Sequence, residues 1–503
     1  MRQLKGKTKE SAKERKQRKK EFLENKKNIQ FPQAHYLPMG TLGLLLTSLA
    51  VAASRRIRDE YHCYAEDEHQ YLFFGTKTSY AVKFKESAPP FQSQECSPPL
   101  MLWELVRHGT RYPMFEEHRP LKQLKSVKNR ILRNQKIFNN VELCEADLTN
   151  LANWTINIPI SESNRLTQQG KLDMESLAKR HLQRWPSLFK QYDPDNFLFL
   201  ITESDRTNQS AKHFLRALFP DADIPQPEPN NALLRSYMNC STWMLDYAGS
   251  RPIRQQRDRF HNSLLVSELV DRVSRRLGFF FDIRPTQVDA MYKMCAYDKA
   301  YKPHEISAWC AAFTEQELKI LEYREDLLYY YKHGPGMDIN IKVACPLLRD
   351  MILRLNATVN QQNGTTPVVI YFTHNGMFER FLSRLGLLNN SVPLTAQFDY
   401  NNTRGWRLAK YIPFAANLAV TLHNCTDGFK VAIYLNEKPL ELENCTNGLC
   451  DWRTLYDKYH DIINSSTCNL NDCFVSAASP QHTNTFIILA LLFLALCPWR
   501  IQL

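Results

Sequence analysis

Hydrophobic residues fall along this chain in a few short unbroken runs, separated by longer stretches in which they recur at helical spacing. Three runs are too short for typical helices and too continuous for strands with one wet face: Leu100 to Val106, Phe197 to Thr202 and Val368 to Thr373. Each reads as a strand buried on both faces. Helical patterns follow them: a polar, Lys-rich stretch over 121–140, one from Leu166 through about Arg184, one through Phe219, and one from Met377 to Leu388. Runs at Leu418 to His423 and Val431 to Leu435 flank Asp427-Gly428, a hairpin signal that suits an edge of the sheet. Between the second and third strands, residues 235–345 show helical spacing with few strand signals, and read as a helical insertion over the sheet's carboxyl edge.

The chemistry sits where the strands end. The first run leads into Arg107-His108-Gly109-Thr110-Arg111-Tyr112-Pro113. In α/β sheets the carboxyl ends of the strands are where ligands bind. Two guanidiniums four residues apart with an imidazole between them make a poor structural element and a good anion clamp, because Arg presents fixed planar donors to phosphate oxygens. Gly109 leaves room for a close approach. The second run delivers Arg206, and the third delivers His374 directly into a helix. His108 is the candidate nucleophile, since a neutral imidazole can attack phosphorus and carry the phosphoryl group. The neighbouring arginines oppose its protonation and neutralise the group in transfer. No C-x-x-C pair or His at ligand spacing marks a metal site, so neither metal nor cofactor is expected.

Composition changes this picture at the ends of the chain. The formal charge is +12, but residues 1–35 hold 12 Lys/Arg against 4 Asp/Glu and form a solvated basic tail, leaving about +4 elsewhere. That excludes a nucleic-acid-binding body. Residues 36–53 contain an apolar run ending in small residues at A-x-A spacing, a signal peptide or a signal anchor; either delivers the rest to the secretory lumen. Ten N-x-S/T sequons, and 12 of 13 cysteines between Cys63 and Cys473, agree with that compartment. The cysteine pairing is not readable. Asn208, two residues past Arg206, is the sequon least expected to carry a glycan, because it should line the pocket. Residues 476–503 combine small residues, a polar spacer and the apolar run Phe486 to Cys497, the form of a glycolipid-anchor signal. The expected destination is the cell surface, with the endoplasmic reticulum lumen as the alternative.

Arg107–Pro113 resembles the signature of the histidine acid phosphatase branch (branch 2) of the histidine phosphatase superfamily. Leu166-Thr167-x-x-Gly170, Thr202 through Arg206, Tyr331-Lys332-His333-Gly334 and Pro413 to Leu418 extend the likeness, which is strongest to the multiple inositol polyphosphate phosphatase group over residues 60–435. The resemblance implies an α/β/α sandwich split over 54–234 and 346–475, with 235–345 as an inserted helical cap. It implies His108 as nucleophile, Arg107, Arg111 and Arg206 around the reacting phosphate, and His374 as catalytic residue and further donor. The implied reaction is phosphomonoester hydrolysis of inositol polyphosphates through a phosphohistidine. Two departures follow. Relatives read His-Asp or His-Ala-Glu at the second histidine, the carboxyl protonating the leaving alcohol, whereas this chain reads His374-Asn375-Gly376. Glu379, five residues on, is expected to point away from His374. Met114-Phe115-Glu116-Glu117 stands where relatives tend to carry Lys, and should weaken the grip on a polyanion unless those side chains turn away. The alternative reading is a catalytically weak or silent protein that binds phosphate compounds.

Overall fold

The computed structural model describes residues 63–474 except 68–72, 84–90, 92, 157, 250, 389–391, 399–402, 441–444, 446–447, 464–467 and 469. The basic tail, the segment 36–53 and the stretch 476–503 therefore lie outside the described residues. No described helix is long and apolar enough to cross a membrane.

All three apolar runs form strands. β1 (Met101–Arg107), β2 (Phe197–Ile201) and β4 (Val368–Thr373) lie side by side in parallel, with β4 in the middle, and the two-residue β3 (Glu228–Pro229) continues the sheet beyond β2. On the other side of β1 the hairpin of β5 (Asn417–Cys425) and β6 (Gly428–Leu435) runs antiparallel. The hairpin does not sit at the edge. β5 pairs directly with the central strand, and the short β7 (Lys438–Pro439) and β8 (Leu449–Asp451) pair outside β6. Burial explains the difference: every residue of β1 is buried, so it needs partners on both sides, and a buried run has no place at a rim.

Alternate residues of β1 and β4 enter two separate cores. Leu102, Val106, Ile370 and Phe372 pack with helices α2 (Gln168–Arg184) and α3 (Asp205–Leu218) on one face. Trp103, Leu105, Val369 and Tyr371 face a larger core on the other. That core takes in α1 (Phe115–Phe138), α4 (Pro285–Tyr301), α5 (Glu315–Lys332), α6 (Cys345–Val359) and α7 (Asn375–Arg384). Helices on both faces give the mixed α/β fold. The carboxylate inside β1, Glu104, is met by His181 of α2 at 2.7 Å, which satisfies one buried oxygen.

Twelve cysteines form six disulfides: Cys63–Cys144, Cys96–Cys425, Cys240–Cys473, Cys295–Cys310, Cys345–Cys468 and Cys445–Cys450.

Candidate active site

The turn after β1 is held from both sides. Arg107 donates its backbone N–H to Ala416 and His108 donates to Thr373, so the exits of β1 and β4 and the entrance of β5 are laced together. Thr110 donates through its backbone N–H and its hydroxyl to Asp173 of α2, while Thr167 returns its N–H and hydroxyl to the Thr110 carbonyl. Gly109 has a different purpose from the one expected. A Cβ there would stand 2.3 Å from the Gly170 carbonyl oxygen, and one on Gly170 would stand 2.1 Å from the Thr110 oxygen. The glycine lets two backbones close on each other rather than admitting a ligand.

His108 is 1% exposed, and its Nδ1 lies 2.8 Å from its neighbour's carbonyl, Gly109 O. A carbonyl only accepts, so Nδ1 carries the ring hydrogen and the lone pair is left on Nε2. Burial pushes the His108 pKa well below its ordinary value, helped by Arg206, Arg107, His374 and Arg111. The ring is therefore neutral, with a fixed tautomer and a free nucleophilic nitrogen. His374, the residue before α7, sits with its ring 5.5 Å from that of His108. Its Nε2 lies 3.0 Å from the Thr202 hydroxyl, and its Nδ1 is buried with no partner. Burial and the arginines lower its pKa as well.

Arg107 is anchored by Nη1, which donates to Thr76 O at 2.7 Å and Ile412 O at 2.8 Å, and its guanidinium lies over Phe414. Arg111 donates to Tyr112 O at 2.8 Å and to the Tyr297 hydroxyl. Arg206 stands in the first turn of α3 with a buried, unpartnered Nε. Burial and repulsion from Arg111, with Arg235 adding to it at Arg206, drive Arg107 and Arg206 down to about 9, so the cluster favours an anion. The structure thus brings together His108, His374, Arg107, Arg111 and Arg206.

It adds a sixth group that sequence reasoning missed. Arg235 repels both Arg206 and His374 and has a buried, unpartnered Nε. Arg235 comes after β3, at the end of the single helical turn Asn231–Leu234, and the two residues of that fourth parallel strand are too few to show a pattern. None of these four arginines is ion-paired to a carboxylate among the described residues.

The structure places the carboxylates on which two expectations rest. Glu116 is exposed, but Glu117 turns inward, accepts from the Tyr297 hydroxyl at 2.7 Å and pairs with Lys293 at 3.0 Å. Against the cost of burial, Lys77, Lys293 and Arg111 pull it down to about 2, so its charge is already answered. Glu379 does not point away from the site. It is fully buried, accepts from the Asn375 amide at 2.9 Å and meets His333 Nδ1 at 3.0 Å. One turn of helix brings its carboxyl group back to Asn375, the residue next to His374.

Asn208 also differs from expectation. It lines a surface cleft of about 440 Å³ with Lys212, Arg216 and Pro225, and Arg206 is not among the residues lining it. A larger cleft of about 530 Å³ lies beside Tyr112, Gln168 and Tyr301 and does not include His108. The described residues hold one cluster of potential metal ligands, Cys63, Cys144 and Asp147, but the cysteines are disulfide-bonded and Asp147 accepts the backbone N–H groups of Tyr64 and Ala65.

The pattern of the histidine phosphatase superfamily (branch 2) matches residues 101–436, from the start of β1 to the end of the hairpin. The chain belongs to that superfamily. This member of the histidine phosphatase superfamily is a hydrolase. It is 30% identical over 440 residues to multiple inositol polyphosphate phosphatase 1 of Drosophila melanogaster, covering 84% of this chain and 91% of that protein. It is 27% identical to the Homo sapiens protein of the same name, covering 78% and 87%. Among solved structures, the phytase from D. castellii superposes with a TM-score of 0.63 at 17% identity, covering 78% of this chain and 85% of that one. The apo form of Bifidobacterium longum multiple inositol polyphosphate phosphatase superposes with a TM-score of 0.60 at 14% identity, covering 76% and 97%. These two likenesses concern the fold.

Proposed function

We propose that this chain is a phosphomonoesterase of the secretory pathway or cell surface that removes phosphate from inositol polyphosphates through a phosphohistidine at His108. One observation carries the reading: a neutral imidazole, its Nε2 lone pair free, stands among four guanidiniums, those of Arg107 and Arg111 buried, none of them ion-paired to a carboxylate among the described residues. Such a cluster stabilises a dianion and the charge that spreads over the transferring phosphoryl group. Arg107, Arg111, Arg206 and Arg235 hold the reacting phosphate, and His374 stands beside His108 at its edge. That the Drosophila and human relatives are multiple inositol polyphosphate phosphatases supports an inositol polyphosphate as substrate.

No carboxyl group stands at residue 375 or 376 to protonate the leaving oxygen, and this favours the second reading, a weak or silent phosphate-binding protein. The sequence of 476–503 supports attachment to the outer membrane surface through a glycolipid. The test is phosphate release from inositol hexakisphosphate by the secreted ectodomain. His108→Ala should abolish it, and acid-labile radiolabel from phosphorus-labelled substrate should appear on His108 in the unmodified protein. Phosphate binding without release or labelling would favour the silent protein.

A further inference from the structure

Expelling an inositol alkoxide, unlike an aryl oxide, requires a proton as the ester bond breaks. Two buried titratable groups beside the site have no part in the scheme above. His333 ends α5, and Glu379 lies in α7. His333 Nδ1 and Glu379 Oε2 are 3.0 Å apart, and both side chains are buried. The other carboxyl oxygen, Oε1, accepts the Asn375 amide. The ring lies against the first turn of α7: a Cβ at Gly376 would stand 3.2 Å from His333 Cε1 and 3.4 Å from Nε2. The imidazole and Arg380 Nη1, also 3.2 Å away, thus border the place a side chain at residue 376 would take, and glycine lets the ring approach it.

We propose that His333, backed by Glu379, is the proton donor to the leaving oxygen, an inference that rests on the phosphatase reading. The starting state has the Glu379 carboxyl group protonated and the His333 ring neutral. Oε1 is occupied as an acceptor, so the carboxyl proton sits on Oε2 and is donated to Nδ1, leaving the ring hydrogen on Nε2. As the phosphorus–oxygen bond breaks, His108 Nε2 bonds to phosphorus and the ester oxygen takes the His333 Nε2 proton. His333 Nδ1 takes the Glu379 proton. The carboxylate that results is held by the Asn375 amide and by the charges of Arg107, Arg380 and Lys332. In the second half, water adds hydroxide to phosphorus and returns its proton to Nε2. The Nδ1 proton returns to Glu379, and the phosphorus–nitrogen electron pair returns to His108. Inorganic phosphate leaves.

The groups facing the pair agree with a neutral starting state. Burial raises Glu379 to about 8 against the Asn375 amide, Arg107, Arg380 and Lys332. Burial, Arg380 and Lys332 hold His333 well below its ordinary value. Tyr329, whose ring lies 5.1 Å from that of His333, is kept protonated by burial and by Glu325 and Glu379. Glu379 holds its proton until the pH rises through about 8, so the relay operates below that pH and fails above it.

The experiment compares kcat/KM for inositol hexakisphosphate and 4-nitrophenyl phosphate across pH, in the unmodified ectodomain and in His333→Gln and Glu379→Gln. Circular dichroism and inorganic phosphate binding serve as checks on folding. His333→Gln should lower kcat/KM for the inositol ester by about 10²–10⁴, at least tenfold more than for the aryl ester. Glu379→Gln should shift the ratio the same way and remove an alkaline fall near pH 8 seen only with the inositol ester. If His333→Gln does not fold, that alkaline limb in the Glu379→Gln pair decides alone. Equal losses on both esters, or none, overturn the relay and leave the phosphatase reading standing. Failure of the unmodified protein to turn over either ester while still binding phosphate overturns the reading and the relay with it.

Discussion

Arg235 shows what a single side chain adds to the site. A hydrogen bond to a charged group contributes roughly 1.5–3 kcal/mol, so Arg235→Ala should lower kcat/KM for inositol hexakisphosphate about 10–100-fold. Competitive inhibition by inorganic phosphate should weaken alongside. Unchanged inhibition would place the Arg235 guanidinium outside the phosphate pocket. The residue also marks where sequence reasoning stops. Arg107, His108, Arg111, Arg206 and His374 were legible because each follows a run long enough to be read as a strand, or lies in the signature itself. Arg235 follows two paired residues, and His333 and Glu379 meet only because α5 and α7 pack together. No local spacing reports a meeting of side chains 46 residues apart. The expectation for Glu379 counted its angle from His374 along an ideal helix. His374 lies outside that helix, and the distance that matters is the one to Asn375, one turn away.

At the scale of elements, the catalytic turn is only as well placed as the first turn of α2, since Gly109 and Gly170 touch backbone to backbone. Gly170→Ala would drive a methyl group into the Thr110 carbonyl and push the strand exit away. Overpacking of this kind costs about 1–3 kcal/mol, and a displacement near 1 Å at a reacting group can cost about 10²-fold in rate. We expect a lower melting temperature and a kcat/KM reduced roughly 10²-fold for both aryl and inositol esters. The loss on both distinguishes it from a defect in the relay. Retention of full activity would mean that α2 does not set the position of His108. The strands and their helices were legible from hydrophobic pattern, but the place of the hairpin was not. Asp427-Gly428 reports only that β5 and β6 pair with each other; which side of the sheet they join depends on β1 needing a second partner.

At the scale of the whole molecule, the disulfides tie distant stretches together. Cys240–Cys473 and Cys345–Cys468 fasten the last described residues to the helical body, and Cys96–Cys425 joins the segment before β1 to the end of β5. Losing a native disulfide typically costs about 2–5 kcal/mol in small secreted domains. Reduction should therefore lower the melting temperature of the ectodomain and slow its migration in denaturing gels; unaltered migration would show the cysteines to be unpaired. If the tail is exchanged for a glycolipid, phosphatidylinositol-specific phospholipase should release active protein from intact cells, and retention with the tail still detectable would refute it. The position of β1 has a further consequence, for synthesis. Its neighbours β4 and β5 begin at Val368 and Asn417, so the strand at the centre of the sheet leaves the ribosome roughly 260 residues before either. At about 5–20 residues per second, seven buried residues wait on the order of 10–50 s with neither edge covered. A newborn chain of this kind depends on something else to shield that segment until its own later half arrives.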